Sequence, residues 1–268
     1  MKKFLLVAFS FALLFTVTAC GGSKEENKED KKDDPVATTM ESYNGVYTKD
    51  GLSIKVYGFN KSNNGKYTKD TLEYSIETDD MSSQGYFEIA NKKGKSIIFD
   101  SELEVEIKDD GLYFKGNDKF KEDFPKFSEG LFKKTKEYTA KDYFNDNIGE
   151  TNYLNSKYNG LFSNNGIKLY MYQIEENSVE ILVVGKTDSS IQYFQKSYTI
   201  KEDGTLAAEE LFDDEGNLIE DSSKAQVEAT AKLDGKSVVF TSKEYSDING
   251  TYKKEKALTV EDIIKVVY

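Results

Sequence analysis

The sequence predicts a mainly β protein, built as two tandem duplicated antiparallel β-barrel or sandwich domains, each followed by a short helix. Three observations lead there. The chain of 268 residues repeats itself at long range. Its apolar residues alternate with polar ones in short runs separated by glycine turns, the signature of half-buried strands. Each repeat ends in Thr-x-x-Asp ahead of an apolar stretch, a helix-starting pattern.

From the N-terminus, Lys2 and Lys3 precede an apolar block, Phe4 to Val17, that is broken only by Ser10 and Thr16. Small residues follow, and the chain turns polar after Cys20. This is the layout of a secretory signal peptide over residues 1–19. The block is short of the roughly 20 apolar residues that span a bilayer. Cys20 is the only cysteine in the chain, so a disulfide within the chain is excluded and the exported body must be held by its core.

The stretch Val17-Thr18-Ala19-Cys20 resembles the lipobox of bacterial lipoproteins, of the Gram-positive type: an aliphatic residue, two small residues and a cysteine. The resemblance implies cleavage after Ala19 and a diacylglyceryl group on the Cys20 sulfur. Two acyl chains anchor stably where one holds marginally. It places the protein at the cell membrane, lipid-anchored on the extracytoplasmic face.

Cys20 opens a lysine-, glutamate- and aspartate-rich segment to residue 42 that has almost no apolar content. Such a segment cannot offset the entropy of folding, and it reads as a tether with a reach of roughly 25 Å. The first domain is expected over 43–146 and the second over 158–268. Tyr43-Asn44-Gly45-Val46-Tyr47 returns 115 positions on as Tyr158-Asn159-Gly160-Leu161-Phe162. Glu129 to Asp142 returns 120 positions on as Asn249 to Asp262, so the second copy has a net five extra residues. The boundary falls near Asn145 to Asn155, which carries turn residues and little periodicity.

Within the copies, Leu72 to Glu77 and Glu102 to Ile107 alternate cleanly, and "SVEILVVG" and "KSVVFTS" suit more buried strands. The first two segments should have counterparts near Val179–Val184 and Val227–Ala231. Turns are expected at the glycine triplets beginning at Asn63, Lys92, Asp109, Glu202, Asp214 and Leu233. Thr139 with Asp142, and Thr259 with Asp262, should cap the two helices. The opening and closing strands of each copy carry Gly-x-Tyr/Phe, at Gly45, Gly130, Gly160 and Gly250. In this each copy faintly resembles a small lipocalin-like β-barrel, which implies that first and last strands pair.

Composition narrows the chemistry. The net charge is −12, and all 36 basic residues are lysine. An acidic body is repelled by nucleic acid. The chain has no histidine and no tryptophan, which removes His-dependent nucleophile activation and His-ligated metals. The acidic loops Glu202–Gly204 and Asp213–Asn217 lack the calcium-loop frame and read as hairpin turns. The lysine clusters Lys133-Lys134-Thr135-Lys136 and Lys253-Lys254-Glu255-Lys256 read as protected strand ends. Tyr170-Met171-Tyr172 and Lys55-Val56-Tyr57 read as core filling. The expected function is a membrane-anchored, non-catalytic binding or interaction module of the cell envelope, with no cofactor or metal. Its partners are the membrane, through Cys20, and a small-molecule, peptide or envelope-protein ligand. The alternative is a carboxylate-dependent enzyme acting on envelope polymers.

Overall fold

The computed structural model describes residues 39–61, 69–78, 82–187, 190–209 and 226–267. Cys20, and the turns expected at Asn63 and Asp214, lie outside the described residues. Among the described residues, sixteen strands and three α-helices form two successive antiparallel barrel-like sheets.

The first barrel is built from β1 (Gly45–Lys49), β2 (Leu52–Phe59), β3 (Thr71–Glu77), β4 (Ser82–Glu88), β5 (Lys93–Ile98), β6 (Ser101–Lys108), β7 (Gly111–Gly116) and β8 (Gly130–Lys136). Its sheet order is β4-β3-β2-β1-β8-β7-β6-β5, so first and last strands pair and the ladder is open between β4 and β5. Helix α1 (Asp118–Asp123) follows β7, and α2 (Ala140–Asn147) follows β8. The second barrel comprises β9 (Gly160–Asn164), β10 (Ile167–Glu175), β11 (Ser178–Thr187), β12 (Ser190–Ile200), β13 (Leu206–Glu209), β14 (Val227–Asp234), β15 (Ser237–Ser242) and β16 (Gly250–Lys256). It closes completely through β16 and β9 and is followed by α3 (Val260–Val267).

The copies correspond strand for strand. Val56 on β2 pairs with Tyr74 as Met171 on β10 pairs with Ile181. Leu72–Glu77 therefore matches Val179–Val184. Val105 pairs with Phe114 as Ala231 pairs with Phe240, so Leu103–Ile107 matches Ala229–Leu233, two residues beyond the expected segment on the same strand. The net five residues conceal larger, opposing changes, since the offset between copies is 107 at β3 and 126 at β6. Lengths change in the connections, where an insertion leaves the ladder register intact.

Alternation does what the pleat requires: inward side chains form one apolar cluster per barrel. In the first, Tyr74 stacks on Phe87 with ring centroids 4.7 Å apart, and Phe114 meets Phe132 edge-on at 5.3 Å. Tyr47, Phe132, Phe162 and Tyr252, the aromatics of the Gly-x-Tyr/Phe strands, are all buried inward. Asp50 and Gly51 join β1 to β2 with φ of 49° and 84°, and Asn165 and Gly166 join β9 to β10 with the same values. These are the left-handed pairs that tight hairpins favour. The turn expected around Lys92 uses Asn91 and Lys92, with Gly94 inside β5. Met40, which the sequence places in the tether, is buried in the first core within a 3-10 helix, Met40–Tyr43. One methionine among polar neighbours carries no periodic signal, so its docking is a tertiary event.

Both terminal helices start as expected. Thr139 Oγ1 accepts from the Asp142 N–H at 3.2 Å while Asp142 accepts from the Thr139 N–H at 2.9 Å. Thr259 and Asp262 repeat this at 3.2 and 3.0 Å. The helices then tie the copies together by exchange. Tyr143 on α2 packs against Tyr57 of its own barrel, but the next residue, Phe144, is buried with Leu161 and Tyr172 of the other. On α3, Ile263 joins Leu161 and Tyr172 of its own barrel, while Ile264 crosses to Tyr57, Tyr138 and Tyr143. Two adjacent helical residues, about 100° apart around the axis, thus face opposite barrels.

Candidate functional site

Phe99 is the most exposed large apolar side chain among the described residues, at 91%. It sits at the tip of the β5–β6 hairpin with φ of 53°. A bulky residue in the left-handed region costs roughly 1 kcal/mol, and such strain persists only where surrounding structure imposes it. Here the source is Asn117. Its side chain accepts from the Glu102 N–H at 3.1 Å and donates to the Asp100 carbonyl at 2.9 Å. The same oxygen caps α1 by accepting from the Phe120 N–H at 2.8 Å. Ser101 donates to Asp123 on α1 at 3.0 Å. Lys119 hydrogen-bonds Asp123 and holds its carboxyl below the usual carboxylate range. The tip is therefore pinned to a helix whose Phe120 is buried in the core and packed among Phe124 and Phe127.

Two further exposed apolar side chains stand on the strands that flank the open ladder. Ile97 on β5 is 62% exposed and Tyr86 on β4 is 50% exposed. The β4–β5 hairpin begins with one bridge, Ala90 to Lys93, with N–O distances of 2.8 and 3.0 Å. Beyond it the strands run close without a ladder. Gly85 lies against Ser96, which accepts a hydrogen bond from the Tyr74 hydroxyl at 3.3 Å. The equivalent strands β12 and β13 are laddered.

The other features singled out from the sequence resolve into structure. Asp203 accepts from the Thr205 N–H at 2.9 Å and hydroxyl at 2.8 Å, which holds its carboxyl low and closes the hairpin. Among the described residues no three Asp, Glu, His or Cys side chains gather as a metal ion would need. In the lysine clusters, Lys134 lies over Gly45 and Lys254 over Gly160, where a side chain would collide with the lysine stem. Lys254 also donates to the Asn159 carbonyl at 2.7 Å. Met171 and Val56 fill the barrels, whereas Tyr172 and Tyr57 are buried under the exchanged helices.

A cleft of about 440 Å³ crosses the outside of β5, β6 and β7. Its charges are paired across strands, Lys93 with Glu106 at 3.8 Å and Lys115 with Glu104 at 3.6 Å. Exposed pairs of this kind contribute little individually, and they make a solvated sheet face. The Phe99 tip was not singled out from the sequence. The available signal is Ile97-Ile98-Phe99, since three consecutive apolar residues cannot all point inward on a strand of period two. No protein-family model, curated protein or solved structure matches the chain.

Proposed function

We propose that the protein is a lipid-anchored, non-catalytic binding module on the extracytoplasmic face of the membrane, and that it engages an envelope protein through the Tyr86–Ile97–Phe99 edge of its first barrel. The observation that carries this reading is Phe99. An aromatic ring held in water at positive φ disfavours the folded state twice, through the backbone and through the exposed ring. Asn or Gly at the same turn would avoid both. An exposed aromatic group that its frame holds in water favours a protein contact, in which aromatic anchors supply most of the binding energy. The core of the first barrel is occupied by its own aromatic rings, which favours an external site there.

The anchor is tested by metabolic labelling with a lipid analogue: the wild-type chain should be labelled and Cys20→Ala should not. Label on the Cys20→Ala protein refutes the lipobox reading. The contact is tested by placing a photo-crosslinking residue at Ile97 and, as a control, at exposed Val239 on the second barrel. A discrete adduct from position 97 that disappears with Phe99→Asn supports the edge. The same adducts from both positions, or no loss with Phe99→Asn, rule it out.

A further inference from the structure

Four Asn-Gly steps fall among the described residues, at Asn44, Asn159, Asn165 and Asn249. A fifth, at Asn64, lies outside them. In this dipeptide the asparagine carboxamide is open to attack by the next backbone nitrogen, because glycine has no Cβ to screen that nitrogen. Three of the four steps are closed to the reaction by their surroundings. Asn44 Oδ1 accepts from the Gly58 N–H at 2.6 Å. Asn159 is buried and donates to the Leu154 and Leu258 carbonyls at 2.6 and 3.0 Å. Asn249 exchanges two hydrogen bonds with the Ser242 backbone, at 2.6 and 3.1 Å. Each carboxamide is thereby held to a partner other than the glycine that follows it. Those glycines, Gly45, Gly160 and Gly250, lie within strands β1, β9 and β16.

Asn165 differs on both counts. Asn165 and Gly166 are exposed and form the tip between β9 and β10, outside the ladder that stops at the pair Asn164 and Ile167. Among the described residues nothing lies within 4 Å of the place a Gly166 side chain would occupy. Ring closure requires a rotation of the backbone at the tip, where local opening costs least. The first barrel supplies a control at the same turn, Asp50-Gly51, which has the same backbone angles. There the Ser128 hydroxyl at 2.6 Å and Lys49 at 3.0 Å hold the Asp50 carboxyl below the usual carboxylate range. An ionised carboxylate resists a nucleophile, whereas a neutral carboxamide keeps its electrophilic carbon. Asn164 stands where the first barrel has Lys49.

We infer that Asn165 is a site of spontaneous covalent modification, converted through a succinimide to aspartate and isoaspartate. The Gly166 nitrogen loses its proton and bonds to Asn165 Cγ, the side-chain Cγ–N bond breaks, and ammonia leaves. Water then opens the ring. Attack at Cγ restores the ordinary backbone and leaves aspartate, the residue that the first barrel already carries at this turn. Attack at the backbone carbonyl leaves the chain running through Cγ, which is isoaspartate. Nothing is oxidised or reduced, and water is the only co-reactant. The isoaspartyl route adds one backbone atom to a two-residue turn, next to β9, through which the second barrel closes. This inference stands apart from the external edge of the first barrel.

The test follows the folded full chain at neutral pH in water enriched in heavy oxygen, with digestion in ordinary water and peptide mass spectrometry. The label separates conversion during incubation from conversion during digestion. The Asn165 peptide should take up label at least tenfold faster than those of Asn44, Asn159 and Asn249, and yield both aspartyl and isoaspartyl forms. In urea, which releases all four sites, the rates should converge. Labelling of Asn165 in the folded chain no faster than the other three overturns the inference. A difference that persists unchanged in urea overturns it equally, since neighbours in sequence and not the fold would then set it. Asn165→Asp, which carries the ordinary product alone, should melt with the fresh wild type. The isoaspartyl fraction of the aged chain, separated by ion exchange, should melt lower. Equal melting of all three refutes the effect on barrel closure.

Discussion

Truncating Phe144 to alanine removes a ring that belongs to one repeat and is buried in the other. Phe144 is fully buried, on α2 after the first barrel, within the cluster of Leu161, Tyr172, Leu258 and Ile263 from the second. A buried Phe→Ala change costs about 3–5 kcal/mol from lost transfer energy and the cavity left behind. For a body of this size each kcal/mol shifts the melting temperature by about 2–4 °C, so a fall of roughly 6–20 °C is expected. The assay is thermal and urea unfolding of residues 21–268, each followed by circular dichroism. The symmetry-related change, Ile264→Ala, should cost about 2–5 kcal/mol by the same mechanism. If the exchanged helices couple the barrels, Phe144→Ala should also split a single transition into two, because each barrel has a separate core. Phe144 and Leu161 should show a coupling energy of about 0.5–3 kcal/mol in a double-mutant cycle. A loss below about 1 kcal/mol for Phe144→Ala, with additive behaviour toward Leu161, would falsify the exchanged-helix clamp.

Each half expressed alone, cut between α2 and Tyr158, should show β-type circular dichroism and a cooperative melt at a lower temperature than the full chain. Two unfolded halves would mean that the separate cores do not suffice. Alkali should destabilise the fold between pH 10 and 12. Burial, with Glu41 and Glu261 nearby, pushes the Tyr57 phenol up to about 12, and burial with Asp247 does the same for Tyr252. The unfolded chain then loses these protons first, so stability present below pH 10 is lost as pH rises toward 12. Tyr57→Phe should flatten that part of the profile, and an unchanged slope counts against it. Thr139→Ala should cost about 0.5–2 kcal/mol by removing a helix cap. The Asp142 and Asp262 carboxyls are held low, the first chiefly by hydrogen bonds from Thr139 and the second by Lys256 and Thr259. Their contribution is present above the normal aspartate range and is lost as pH falls through their lowered values. An acid limb unaltered by Asp142→Asn together with Asp262→Asn would refute the capping role.

The sequence by itself determined what depends on neighbours in the chain. Period-two alternation in Leu72–Glu77 and Glu102–Ile107 placed strands because the pleat turns successive side chains to opposite faces. Thr139 with Asp142, and Thr259 with Asp262, placed two helix starts because a cap is closed within four residues. The duplication was legible because matching local signals recur in matching order. Only the tertiary structure decided which surfaces those elements cover. Tyr143 and Phe144 read alike as apolar helix residues, yet one covers its own barrel and the other the next, a choice set by contacts distant in sequence. Phe99 and Phe120 are both phenylalanines near a turn, but Asn117 holds the first in water and seats the second in the core. Leu103 and Ala229 became comparable only when strand pairing placed them at one level, because register is fixed by partners across the barrel and not by the residues beside them.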